Sequence, residues 1–169
     1  MEFGEALGIA AQIAITLAGF AGVVVVFRRD SIHEWSPADK LRLRLLLTNS
    51  ILPLVFCMTG ILLLTIRPLP IGIWRWCSGF ALVVSLLFAI PMTKMFRGLN
   101  LRQMQTGGVT RLVFYLFGTL GIAANLLQLY NAALLGAFWP FFTGVVVQLL
   151  TGTFQFARMI LLRPEQTPR

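Results

Sequence analysis

LVFYLFGTLGIAANLLQLYNAALLGAFWPFFTGVVVQLLTGTFQFA, from Leu112 to Ala157, runs for 46 residues without an Asp, Glu, Lys or Arg. As one helix it would be roughly 70 Å long, more than twice a hydrocarbon core of about 30 Å. The stretch is therefore read as crossing a bilayer twice. Asn131, Gly136 and Pro140 mark the break. Proline suits a first helical turn, where its missing N–H is no loss.

Three more apolar runs precede this one. The spans predicted are about 6–27, 45–66, 71–93, 112–133 and 140–162. The expectation is an all-α integral membrane bundle of five transmembrane helices, a single domain over 1–169. Composition agrees: 57% of the residues are hydrophobic and 12% charged, whereas a soluble domain has about a quarter charged. No polar stretch is long enough to fold as a soluble domain beside the bundle.

Cations orient the chain. With the N-terminus outside, Arg28, Arg29, Lys40, Arg42 and Arg44 fall in or beside a first cytoplasmic loop, and Lys94, Arg97, Arg102 and Arg111 in a second. Arg158, Arg163 and Arg169 join them at the C-terminal end, so twelve of fourteen cations lie inside. That is the positive-inside bias, with the C-terminus cytoplasmic. The formal charge of +8 thus reads as topology, and no nucleic-acid partner is expected. Trp74, Trp76, Tyr130 and Trp139 all fall near the outer interface, as an aromatic belt does, and Trp35 near the inner one. No basic residue precedes Arg28, so the first run reads as a retained anchor and not a cleaved signal.

Ser36, Pro37 and Asp39 form a helix start, with Ser at the cap, Pro at the first position and Asp at the third. The second helix is therefore expected to begin near Pro37, before the bilayer. Lys40, Arg42 and Arg44 would then reach toward lipid headgroups, including anionic ones, at about 1 kcal/mol per cation.

Reactive groups are scarce. His33 is the one histidine, and a single imidazole makes no two-His metal or haem site. There is no HExxH, GxSxG or P-loop, and the six acids all lie outside the apolar runs. Carboxylates at depth are what acid–base chemistry and proton-coupled transport ordinarily use. The chain is expected to be no enzyme and to hold no cofactor or metal. Cys57 and Cys77 are expected to sit at different depths as free thiols.

Uncharged polar groups and small residues remain. In the first span Gly4, Gly8, Ala11, Ile15, Ala18 and Gly22 share a helix face that suits close helix packing, with Gln12 and Thr16 one position on. In the fourth span Tyr115, Gly118, Gly121, Asn125, Gln128 and Ala132 form a stripe. In the fifth, Gly144, Gln148, Thr151, Gly152 and Gln155 form another. A hairpin folding near Leu135 would set Asn125 by Gly144, Gly121 by Gln148, Gly118 by Gly152 and Tyr115 by Gln155. In the second span Pro53 cannot donate to the carbonyl of Asn49, so a kink, a freed carbonyl and a carboxamide coincide. By helical rise Gln12, Asn125 and Gln128 lie roughly 5–10 Å below the outer surface, Gln148 about midway, and Asn49 and Gln155 in the inner half. This ladder is read either as the lining of a narrow pathway or as interhelical packing.

The segment Gln12–Phe27 followed by Arg28 and Arg29 resembles the opening of small bacterial multi-pass membrane proteins of uncharacterised activity. The resemblance covers the first span and implies a bacterial inner-membrane setting. The function expected is an oligomeric, channel-like pathway for a small solute or ion. The alternative is an accessory or assembly subunit of a larger membrane complex, and a third reading is a membrane-perturbing effector. Partners expected are the lipid bilayer and either further copies of the chain or a membrane partner subunit.

Overall fold

The computed structural model describes residues 2–27, 37–66, 72–98 and 108–161. They form α1 (Phe3–Phe27), α2 (Pro37–Thr65), α3 (Ile73–Gly98), α4 (Gly108–Tyr130) and α5 (Phe138–Leu161), with a π-helical turn, Asn131–Leu135, between the last two. No strand occurs among the described residues. Among the described residues, four segments are long and apolar enough to cross a membrane: Phe3–Val26, Asp39–Thr65, Ile73–Pro91 and Phe138–Ile160. The side chains of α4 are described from Tyr115 onward. His33, Trp35 and Ser36 lie outside the described residues; α2 does begin at Pro37, as its local chemistry requires.

The central element is α2, which packs mainly on α1 and α5. The principal core joins α1, α2, α3 and α5 through residues such as Leu7, Ala14, Leu52, Phe56, Cys77, Phe141 and Val145, and contains no residue of α4. The starts of α1, α3 and α5 meet in an aromatic cluster. Phe138 lies 4.6 Å from Phe3 and 4.7 Å from Trp74 between ring centroids, and Phe3 meets Trp74 edge-on at 5.5 Å. Edge-to-face and offset contacts of this kind are favoured over flat stacking. Trp74 is accordingly buried in the bundle, while Trp76, Tyr130 and Trp139 face outward as the belt pattern expects.

Three sequence expectations are corrected. The buried face of α1 is Leu7, Ala10, Ala14, Leu17 and Ala21, one position round from the glycine face. Ala11 is buried, but Gly8 and Ala18 are half-buried and Gly22 is exposed, and a Cβ at Gly8 or Gly22 would meet nothing within 4 Å. The reason is that α1 docks by inserting a side chain: Leu7 Cδ1 sits 2.8 Å from where a Cβ on Gly60 would stand. The notch lies on α2, where small residues had not been singled out.

The second correction concerns the hairpin register. Gly144 faces Gln128, not Asn125. The turn explains it: Asn131–Leu135 is wound as a π-helix and Gly136 adopts φ 67°, which widens the bend and carries α4 past its expected partners. Farther along, Phe117 lies against Phe154 at 4.9 Å. Gly118 is exposed, and Gly118 and Gly121 have nothing within 4 Å of their Cβ positions. Gly152 turns to α2, where the Asn49 carbonyl oxygen would lie 3.3 Å from its Cβ.

The third concerns Arg42. It is buried with Asp39, Nη1 to Oδ1 at 3.0 Å, and does not reach outward. Arg44 is exposed and Lys40 half-buried. Arg158 is also buried and rests 5.9 Å over the Phe154 ring.

Candidate functional site

The polar groups of the hairpin converge near its turn. Asn131 is fully buried and serves as the organising residue. Its Nδ2 donates to Ser78 Oγ at 2.7 Å and to the Ala137 carbonyl at 2.9 Å, and its Oδ1 accepts from the Ala137 N–H at 2.9 Å. The Gly136 N–H closes the turn onto the Asn131 carbonyl at 2.9 Å. From α3, Arg75 Nη2 donates to the Leu134 carbonyl at 2.8 Å. The backbone groups exposed by the bend thus find partners without water, as apolar surroundings demand.

One to two turns deeper, three carboxamides meet. Gln128 Nε2 donates to the carbonyls of Pro140 at 2.9 Å and Phe141 at 3.3 Å. Gly144 makes this approach possible, since a Cβ there would collide with Gln128 Nε2. Asn125 Nδ2 returns to the Gly121 carbonyl at 2.8 Å, and Gln148 Nε2 donates to Ser85 Oγ at 3.3 Å. In all three amides the nitrogen bonds to protein, while Asn125 Oδ1, Gln128 Oε1 and Gln148 Oε1 are buried without a partner. Around Asn125, Gln128, Gln148, Ser85 and Gly144 there is a cavity of about 20 Å³.

The remaining ladder residues lie elsewhere. Gln12 is exposed on α1. Asn49 donates to the Leu45 carbonyl at 2.9 Å, beside the buried Pro53 and opposite Gly152, and does not line the cavity. Gln155 is buried in α5, its Oε1 unpartnered. A cavity of about 20 Å³ has room for a single water, not a file of them.

A larger cavity, about 290 Å³, opens between α1 and α5. It is lined by Ala6, Ile9, Ala10 and Ile13 on one side and Phe142, Val146, Leu149, Leu150 and Thr153 on the other. Thr153 gives its hydroxyl proton to the Leu149 carbonyl at 2.9 Å, which leaves the groove apolar. Gln12 is exposed on the same helix, next to Ile13 in sequence.

Sequence reasoning missed Ser78, Ser85 and Arg75. A signal was present: Trp74, Ser78, Ala81 and Ser85 are spaced 4, 3 and 4 apart, one face of a helix. Cys57 and Cys77 are both free and buried. The chain matches no protein-family model, no curated protein and no solved structure.

Proposed function

We propose that this chain is a non-enzymatic, five-span subunit of a bacterial inner membrane, N-terminus outside, that docks a transmembrane helix against α1 and α5. The observation that carries this reading is the apolar groove of about 290 Å³ bordered by an exposed glutamine. Gln12 stands in α1, roughly 5–10 Å below the outer surface by helical rise. At that depth a carboxamide facing hydrocarbon is costly. A neighbouring helix that offers a hydrogen-bonding group removes the cost.

A photo-crosslinking residue placed at Ile13, in the groove, tests the docking. A parallel substitution at Leu87, an exposed position of α3, is the control. An adduct from Ile13 alone supports docking, and its mass separates a second copy from a different subunit. Equal adducts from both positions, or none, remove the proposal.

The orientation rests on the split of cations, twelve of the fourteen on one side. Single cysteines at Gly4 and Gly136, in a background lacking Cys77, should react with an impermeant thiol reagent from outside, and one at Thr167 should not. Reaction at Thr167 would overturn the five-span count. The pathway reading is favoured by one observation, the three unpartnered amide oxygens at one cavity. Proteoliposomes that pass no water, anion or cation faster than empty vesicles dispose of it.

A further inference from the structure

The cavity between α3, α4 and α5 has a one-sided chemistry. Gln128 has spent both its N–H groups on protein acceptors, and Asn125 and Gln148 one each. Their oxygens are buried and open. Gln128 is 5% exposed, so its oxygen is shut off from the surface. A guest that suits this lining must donate.

Hydrogen counting identifies it. Three acceptors wait: Asn125 Oδ1, Gln128 Oε1 and Gln148 Oε1. Ser85 Oγ accepts from Gln148 and keeps its own hydroxyl hydrogen to give. One water brings two more for these oxygens, and its own lone pairs can accept the second N–H of Asn125 or Gln148. The cavity measures about 20 Å³; a site needs about 10–15 Å³ and 2–4 polar partners to hold one water. Charge argues against a cation. The lining has no carboxylate, and a bare ion there would have only neutral dipoles to replace its hydration.

We propose that this pocket is a binding site for one buried water, held by Asn125, Gln128, Gln148 and Ser85, which ties α3, α4 and α5 together at a single point. The inference does not rest on the docking role of α1. An isolated carbonyl oxygen in hydrocarbon is costly, and one molecule can relieve the oxygens around the cavity together. The site has room for one molecule, which distinguishes it from the lining of a water-filled path.

The test is water-selective cross-relaxation in the isotope-labelled full chain, in phospholipid nanodiscs. Cross-peaks are expected from water to the side-chain amide protons of Asn125, Gln128 and Gln148, and none to Asn131, whose carboxamide bonds only protein. Absence of peaks at the first three overturns the proposal. In Gln148→Met, the thioether fills the space and removes an acceptor. The peaks at Asn125 and Gln128 should then vanish while the Asn131 resonances stay, which shows that the fold is retained. Peaks that persist overturn the assignment, and if the Asn131 resonances are lost, Asn125→Leu takes its place. Exchange of sodium chloride for choline chloride should leave all three amides unmoved. A sodium-dependent shift would make the guest a cation and overturn the water.

Discussion

The two ends of α4 are composed alike and held differently. Toward the turn, Gln128 and the following Asn131 are buried and bonded to α5, to α3 and to the turn itself. Two to three turns earlier, Tyr115, Leu116 and Leu120 are exposed and a Cβ at Gly118 would meet nothing within 4 Å; Phe117 meets α5 through Phe154. Both ends carry the same alternation of polar, small and large apolar residues. In a bilayer a helix gains little from hiding leucine, because lipid is as apolar as a protein core. What anchors α4 is therefore the polar end, where separation from α5 would strand amides in hydrocarbon.

Breaking the polar end should have the largest effect. Asn131→Leu leaves the Ala137 N–H, the Ala137 carbonyl and Ser78 without this partner, and should destabilise the chain by roughly 2–3 kcal/mol. Unfolding in mixed detergent micelles reads this directly. A loss under about 0.5 kcal/mol would mean that the turn is not the anchor.

Gly144→Ala comes next. Its methyl occupies the place of the Gln128 amide and should cost about 1–2 kcal/mol. Gln128→Ala should make the added methyl nearly harmless, so the double mutant tests the contact itself. Additive losses would show that Gln128 is not what the methyl meets.

Gly152→Ala should cost less, about 0.5–1 kcal/mol, because the Asn49 carbonyl stands at 3.3 Å and must yield by a few tenths of an ångström. Gly118→Leu should have the smallest effect, within about 0.5 kcal/mol of wild type. A loss at Gly118 as large as that at Gly144 would erase the difference between the two ends.

Much of this was legible from residues alone. The uncharged run from Leu112 demanded helices and a bend near Gly136. The kinship of Asn125, Gln128, Gly144 and Gln148 followed from their stripes. The partner of each was not legible, because a π-helical turn changes register without leaving a clear mark in composition. Asn131 illustrates the loss: it reads as a helix breaker, and its actual work is to hold the bend from inside. The glycines of α1 misled for a related reason. Small residues permit close approach but do not compel it, and α2 received Leu7 at Gly60 instead.

Pro53 has a consequence for how the chain is made. It removes the N–H that would bond the Asn49 carbonyl, and the structure sets that oxygen against Gly152 of α5. During synthesis α2 enters the membrane long before α5 has left the ribosome. For that interval the oxygen must face lipid, water or the insertion machinery. The close approach of Gly152 then covers it. A chain truncated before Gly152 would therefore leave an open carbonyl in the middle of its second helix, without the cover that α5 gives it.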